Sequence, residues 1–450
     1  MTTLVMDRTA PARPKLVLAT AFLGIFLLNL DSMAMNVALP GVGRELGGST
    51  AALQWIVDAY VLMLAALLLS AGALSDRFGA SRAFGAGAAV FTFASAACGL
   101  APGLGELIAA RLLQGGAAAI MLPSSLALVR QAFPDAARRA RAIALWTVGG
   151  ALAIAAGPVV GGVLAGTVGW RAIFFVNVPI GIATLVVLSR MPQSPRLMRP
   201  LDPLGQVTAL VALVALTFGV IEGGQPLAFG VAVLAAVAFV LVESRVAAPM
   251  VPLSLFRSRT VTVSVAIGFA LNAAFYGLVF VLSLFFHDVL GLSPMAAGLM
   301  FLPMTAVVAV ANLVSARVAA RFGPRLPIAA GQLICATAML ALLWGVDEGT
   351  PRPLIAVLLV PVGFGLGCAV PSLTAVLMGH IAADRAGMAA GVLNSFRQTG
   401  SALAVAVFGA VAAGAGEFVD GVRLALGVAV VMLVSAAAIS VLLPRRFTAG

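Results

Sequence analysis

Residues 52–82 read ALQWIVDAYVLMLAALLLSAGALSDRFGASR. The first part, 52–73, is an apolar run with Asp58 as its one charge. At about 1.5 Å per residue a helix of that length crosses a hydrocarbon core of about 30 Å. Asp76, Arg77 and Arg82 then arrive together around Gly79, as in a loop that returns the chain to its next crossing. Thirteen further runs have the same form, so that the fourteen lie at about 17–39, 52–73, 84–101, 106–129, 143–166, 172–190, 204–221, 227–243, 261–285, 296–316, 326–345, 353–377, 387–412 and 424–443. The composition agrees: of 450 residues, 62% are hydrophobic and 10% charged, with mean hydropathy +1.12. An ordinary soluble domain carries roughly 25% charged residues, so a soluble protein is excluded and the apolar side chains face lipid. A net charge of +11 and a pI of about 11.3 do not point to nucleic acid, because the basic residues lie in short interhelical loops and not on one face with aromatic partners.

Fourteen spans put both termini on one side. With that side cytoplasmic, twenty-one of the 27 basic residues fall in cytoplasmic segments, among them Arg8, Arg13, Arg199, Arg385, Arg445 and Arg446, and four (Arg44, Arg171, Arg352, Arg423) in outer loops. This imbalance sets the orientation. The first run is too long for a signal-peptide core, and Asp31 and Pro40 stand where a cleavage site belongs, so it reads as a retained helix. Cys98, Cys335 and Cys368 are dispersed within spans and form neither a disulfide framework nor a metal site. Arginine outnumbers lysine 26 to 1, as expected of a GC-rich bacterial genome; the expected location is the cytoplasmic membrane of a bacterium.

The loop Gly72-Ala-Leu-Ser-Asp-Arg-Phe-Gly79 is echoed 244 positions later by Ala316-Arg-Val-Ala-Ala-Arg-Phe-Gly323, each following the second helix of a six-helix block. Pro123-Ser-Ser-Leu126 is likewise echoed by Pro371-Ser-Leu-Thr374. The echoes predict an all-α integral membrane fold of two six-helix halves, 1–190 and 260–450, with a two-helix insert and its loops at 191–259. Such a duplication places a cavity at the midplane between the halves, exposed alternately to each side as they rock.

Gly72, Asp76, Arg77 and Gly79 stand in register with the signature loop of the major facilitator superfamily, which this loop resembles. The resemblance implies a conformational latch, in which these charges pair with a neighbouring helix end. The family's two basic residues after the second Gly are replaced by Ala80 and Ser81, with Arg82 one place late, which implies a weaker latch. Leu30-Asp31, Asn36 to Pro40, Gln54-Trp55-Ile-Val-Asp58-Ala-Tyr60, Arg111-Leu-Leu-Gln114-Gly-Gly116, Gly157-Pro158-Val-Val-Gly161-Gly162 and Trp170-Arg171 follow in order, with Phe174, Asn177, Pro179 and Gly181 after them. As a set they are similar to the fourteen-helix drug:proton antiporters, multidrug and antiseptic efflux proteins. The run at Gly157, Pro158, Gly161 and Gly162 resembles that family's antiporter motif. Independently of the resemblance, Pro158 lacks the N–H that would reach Ile154, and the small residues offer a flat face to a partner helix.

Four charges lie well inside spans: Asp31, Asp58, Arg111 and Arg397. Each costs about 2.5–3.5 kcal/mol at a helix centre on insertion scales, so each is expected to face a cavity or a partner. Burial disfavours a carboxylate's charge and a nearby arginine favours it, so an acid moved between the two binds and releases a proton. Asp31 and Arg111 supply that alternation, with Gln114 on the same face as Arg111 at i+3. Asp58 beside Trp55 and Tyr60 offers a cation a counter-charge and aromatic faces, and the Trp-x-x-Asp-x-Tyr form resembles the branch that exports lipophilic organic cations. Arg397 and Gln398, after Asn394, resemble the family's polar stretch in span thirteen and are assigned to substrate binding across the halves. His287 and Asp288 at the outer end of span nine, where His287 would sense external pH, and Glu222 at the outer end of span seven complete the candidates.

ATP hydrolysis within the chain is excluded, since a P-loop needs Gly-Lys-Ser/Thr and the one lysine, Lys15, follows Pro14. The expected function is therefore proton-coupled export of lipophilic, cationic compounds, with no cofactor, no metal and no enzymatic step. The expected partners are a small-molecule substrate, protons and the bilayer, with the chain a monomer. Three alternatives remain: a dedicated exporter of one metabolite, antibiotic or lipid; an intramembrane enzyme, against which the absence of clustered carboxylates and histidines argues; and a channel, which the span-five antiporter motif disfavours.

Overall fold

The computed structural model describes residues 14–196, 201–347, 349–381 and 386–444. Arg8, Arg13, Arg199, Arg385, Arg445 and Arg446 of the charge pattern lie outside them. Among the described residues the regular elements are helical: α1 (Pro14–Leu46), α2 (Thr50–Phe78), α3 (Ala80–Gly99), α4 (Leu104–Ala132), α5 (Ala136–Thr167), α6 (Arg171–Phe175), α7 (Asn177–Leu188), α8 (Pro203–Ile221), α9 (Pro226–Arg245), α10 (Arg259–Asp288), α11 (Pro294–Phe322), α12 (Arg325–Gly345), α13 (Arg352–Gly379), α14 (Ala386–Gly414) and α15 (Phe418–Ser440), with a short 3-10 turn at Leu253–Arg257. In an apolar solvent each backbone group needs an internal partner, which a continuous helix provides. The exposed first N–H groups are closed by side chains: Ser49 accepts from Ala52, Asp135 from Arg138, Asp202 from Gly205 and Ser293 from Ala296.

Among the described residues thirteen segments are long and apolar enough to cross a membrane, with α6 and α7 together making one of them. The expected third span is α3, a helix of 20 residues rich in Ala and Gly, and it is not among the thirteen. The expected sixth span is broken at Val176, because Pro179 has no N–H to offer Phe175.

Helices α1 to α7 pack among themselves through α1 with α5, α2 with α4, α3 with α4, and α3 with α7. Helices α10 to α15 repeat those pairings: α10 with α14, α11 with α13, α12 with α13, and α12 with α15. The detail also repeats. A Cβ on Gly115 of α4 would strike the Tyr60 carbonyl of α2, and one on Gly363 of α13 would strike that of Met304 in α11. Tyr60 and Met304 are 244 positions apart and Gly115 and Gly363 are 248 apart, the offsets of the two sequence echoes.

Two seams join the sets, α2 with α14 and α5 with α11. Helices α8 and α9 pair with each other, and α8 lies over both α2 and α14. Gln206 of α8 donates to the Ala66 carbonyl of α2 at 2.9 Å and accepts from Ser70 at 2.5 Å. Burial follows this arrangement: 83% of the most apolar window of α10 is enclosed, against 11% for α9, whose Val233 and Leu234 face outward.

Candidate functional site

The densest polar cluster in the interior is built around Asp31, which α1 carries into the middle of the first helix set. Arg111 and Gln114 are three residues apart on α4, a spacing that puts both on one helical face. Arg111 Nη1 donates to Asp31 Oδ2 at 2.5 Å and to Gln114 Oε1 at 2.8 Å, while its Nε donates to the Ile56 carbonyl at 3.1 Å. Gln114 Nε2 donates to Asp31 Oδ1 at 2.9 Å and to Ser95 Oγ of α3 at 2.8 Å. Asn177, at the start of α7, donates to the same Asp31 oxygen at 2.7 Å. The carboxylate thus accepts from three side chains on two helices. Asp31, Arg111, Gln114, Ser95 and Asn177 are all at most 1% exposed. The guanidinium carbon lies 4.4 Å from the centre of the Tyr60 ring and 5.9 Å from that of Phe174, so aromatic faces close the remaining sides. Arg111 is a permanent charge, and Asp31 is its counter-ion.

Asp58 lies on a different face of α2. Gln54 donates to the Val405 and Ala406 carbonyls of α14 at 3.1 and 2.9 Å, and Ser395 of α14 donates to the Ala65 carbonyl at 2.7 Å. Residues 54, 58 and 65 follow the i, i+4, i+11 spacing of one helical stripe, which places Asp58 on the seam with α14. Asp58 is fully buried, and neither carboxylate oxygen has a hydrogen-bond partner among the described residues.

The structure does not gather Trp55, Asp58 and Tyr60 into one box. Trp55 Nε1 donates to Glu222 Oε1 at 3.1 Å and its ring packs on Phe218, so it faces α8, whereas Tyr60 faces Arg111 and donates to the Leu28 carbonyl at 3.4 Å. The reason is the 100° turn per residue: positions 58 and 60 point to opposite sides of α2.

Arg397 of α14 lies where α1, α10 and α14 approach. It donates to Asn272 Oδ1 at 3.0 Å and Asn394 Oδ1 at 3.5 Å, and Gln398 beside it is partly exposed. His287 binds the Leu292 carbonyl at 3.2 Å, tying the turn after α10, while Asp288 lies near Arg44.

In the glycine-proline run of α5, Cβ atoms on Gly157 and Gly161 would collide with Met33 and Ala34 of α1, and one on Gly162 would stand 2.5 Å from the Pro294 carbonyl of α11. The Pro158 carbonyl in turn faces Gly298. The run therefore packs against α1 on one side and forms the α5–α11 seam on the other. In the loop after α2, Gly79 has φ +89°, and a Cβ there would stand 2.7 Å from the Ser194 carbonyl. Ser81 and Ser194 exchange hydrogen bonds of 3.2 and 2.7 Å, and Arg82 bonds Gln193. Gly72 has open space beside it, and Asp76 and Arg77 end α2 at the same face.

Two participants were not singled out from the sequence. Asn177 carried a signal, its place after Trp170-Arg171, but no chemistry of its own until α7 set it beside Asp31. Ser95 carried none, being one of several small residues in α3.

A bundle of apolar helices that buries an ion pair and an unpartnered acid in its interior, with two glycine-lined or side-chain-pinned seams between helix sets, defines a multi-pass membrane transporter. The chain belongs to the Major Facilitator Superfamily, whose profile matches residues 21–405. It is 37% identical over 414 residues to the "Methylenomycin A resistance protein" of Streptomyces coelicolor, covering 90% of this chain and 86% of the relative. It is 36% identical over 408 residues to the "Multidrug resistance protein Stp" of Mycobacterium tuberculosis, covering 88% and 76%. The crystal structure of a D-xylose-proton symporter superposes with a TM-score of 0.70 at 14% identity, covering 96% of this chain and 98% of the other, a likeness of fold. Members of this superfamily are transporters rather than enzymes.

Proposed function

We propose that the chain is a proton-coupled antiporter that exports lipophilic, cationic drugs or toxic compounds by alternating access across the cytoplasmic membrane of a bacterium. The carrying observation is the Asp31–Arg111 pair, a carboxylate and a guanidinium 2.5 Å apart and shut inside an apolar bundle. A charge pair so placed has no solvent-exchange route except through rearrangement of the helices that hold it, which is what coupling a proton to a conformational cycle requires. In this reading fourteen spans form two six-helix halves, 1–190 and 260–450, around the insert 191–259, with both termini cytoplasmic and the chain a monomer. The repeated helix pairings support the division. Gln54, Gly162 and Gly298 then hold both seams together at the external side, and Asp58, on one seam, serves as counter-charge for a cationic substrate, with Arg397 and Gln398 at the facing half. Asp76 and Arg77 belong to the cytoplasmic latch.

A second reading, export dedicated to a single antibiotic, is favoured by the 37% identity to a relative named for resistance to one compound. One experiment separates the two and tests both. The full chain is expressed in a bacterial strain lacking its own efflux pumps, and resistance is profiled over chemically unrelated lipophiles. Raised resistance to several classes, abolished by collapsing the pH gradient, is expected; resistance to one compound supports the second reading, and none at all sinks both.

A further inference from the structure

Arg397 stands in the middle of α14 without an acid to neutralise it. Its Nε donates to Asn272 Oδ1 at 3.0 Å and one terminal nitrogen to Asn394 Oδ1 at 3.5 Å. Asn272 is itself held by Ser401, to whose Oγ it donates at 3.2 Å, and Ser401 donates back to the Arg397 carbonyl at 3.1 Å. Tyr276 of α10 lies beside both Arg397 and the Ser32 hydroxyl of α1. Every one of these neighbours is neutral. Among the described residues, no carboxylate forms an ion pair with Arg397.

Arg111, in the other set, shows how this chain neutralises an arginine: with Asp31 at 2.5 Å and two aromatic rings. Arg397 receives two amide oxygens instead. These satisfy some of the five N–H donors of a planar fork, but they do not cancel its charge. The side chain also remains partly exposed, as do Ser32, Tyr276, Asn394 and Gln398 around it. The free edge of the fork therefore borders space where α1, α10 and α14 meet. Its stem lies along Gly268 of α10, where a Cβ would stand 3.1 Å from Arg397 Cγ. The position is thus built: the stem is seated, Asn272 and Asn394 orient the head, and the remaining donors are left for something not supplied by the protein.

We infer that Arg397 is the anion-recognising end of the transport pocket, receiving a carboxylate or an ionised enol or phenol of a lipophilic substrate. A planar oxyanion matches the guanidinium fork with two parallel hydrogen bonds and cancels a charge that is costly at this depth. The inference rests on the reading of the chain as an exporter and narrows it: acidic lipophiles are carried as well as cations, the acid group at Arg397 and a cationic centre at Asp58.

The test uses the full chain purified in lipid nanodiscs and two dyes that differ in one group, rhodamine B with its free carboxylate and rhodamine B ethyl ester, with binding read by fluorescence anisotropy. The wild type is expected to bind both. Arg397→Gln should weaken the acid about tenfold or more, as loss of a charge-assisted contact implies, and the ester less than about twofold. Asn272→Asp keeps the arginine but gives it an internal counter-ion, so it should weaken the acid in the same way and leave the ester, which also shows that the variant is folded. Equal weakening of acid and ester in both variants overturns the inference, as does a wild type that fails to bind the acid. Binding of the ester without the acid removes the anion site alone and leaves the exporter reading standing, since that reading falls only if no lipophile is exported from cells.

Discussion

Gln54 and Asp58 lie one turn apart on the stripe of α2 that faces α14, yet Gln54 donates to two carbonyls of α14 while neither oxygen of Asp58 has a partner. One residue fastens the seam, and the other is left inside it with its polar atoms unanswered. An uncompensated polar group in such a place is expensive, so Asp58 is the side chain of this seam with most to gain from an arriving cation.

Asp58→Asn is accordingly expected to leave expression and thermal stability close to wild type, because no contact in the structure is lost. Export of cationic lipophiles should fall by about tenfold or more, the scale of one charge-assisted contact, with neutral lipophiles changed little. Resistance assays on matched cationic and neutral compounds check this. Equal losses for both would mean a general gating defect.

Asp31→Asn keeps the shape of the side chain and removes the charge that answers Arg111. Breaking a buried pair costs about 3–5 kcal/mol, so a lowered unfolding temperature is expected in a protein that still inserts. Efflux of a dye driven by a pH gradient in membrane vesicles should be abolished. Transport at the wild-type rate would remove Asp31 from the coupling role.

The α5–α11 seam makes a mechanical prediction. Gly162 has backbone of α11 at its Cα face, with Pro294 O only 2.5 Å from where a Cβ would sit. Gly162→Val cannot be absorbed by a side-chain rotation and should force the helices apart, at a cost typical of overpacking, about 1–3 kcal/mol. That energy is sufficient to move a two-state ratio by about tenfold. Cysteine labelling from outside the cell, at a position introduced beside the seam, should speed up in the variant, and an unchanged rate would show that the seam is not a gate.

At the C-terminal end of α2, Asp76→Asn should shift the resting population toward the state open to the cytoplasm. Loss of a charge-assisted contact of about 1.5–3 kcal/mol changes a two-state ratio by roughly ten- to a hundredfold. Ser81→Ala, which removes the exchange of hydrogen bonds with Ser194, should have a smaller effect in the same assay, since neutral hydrogen bonds contribute about 1 kcal/mol. Labelling rates on the two faces, measured in parallel, distinguish a latch from a passive loop.

The sequence by itself determined that the chain lies in a membrane, where most helices run, and that Asp31, Asp58 and Arg111 are buried, though not that Asp202 and Glu243 are. These follow from one-dimensional quantities: a lipid-facing helix must be apolar along its whole length, and an embedded charge stands out against such a background. That Asp31 and Arg111 act on each other was legible for the same reason, as a small set of embedded charges has few ways to be satisfied, whereas the bond from Gln114 to Asp31 was not. What the sequence did not determine is which way each side chain turns and what meets it there. Trp55, Asp58 and Tyr60 are close in the chain yet face α8, α14 and α4 in turn, because a helix separates neighbours by angle. Ser95 and Asn177 join Asp31, and Ser194 joins Ser81 from 113 positions away, through packing of helices that no local pattern encodes. The neutral surroundings of Arg397 were likewise settled only when α1, α10 and α14 came together, for the charge on a residue is written in the sequence, and its counter-charge, or the want of one, is decided by the fold.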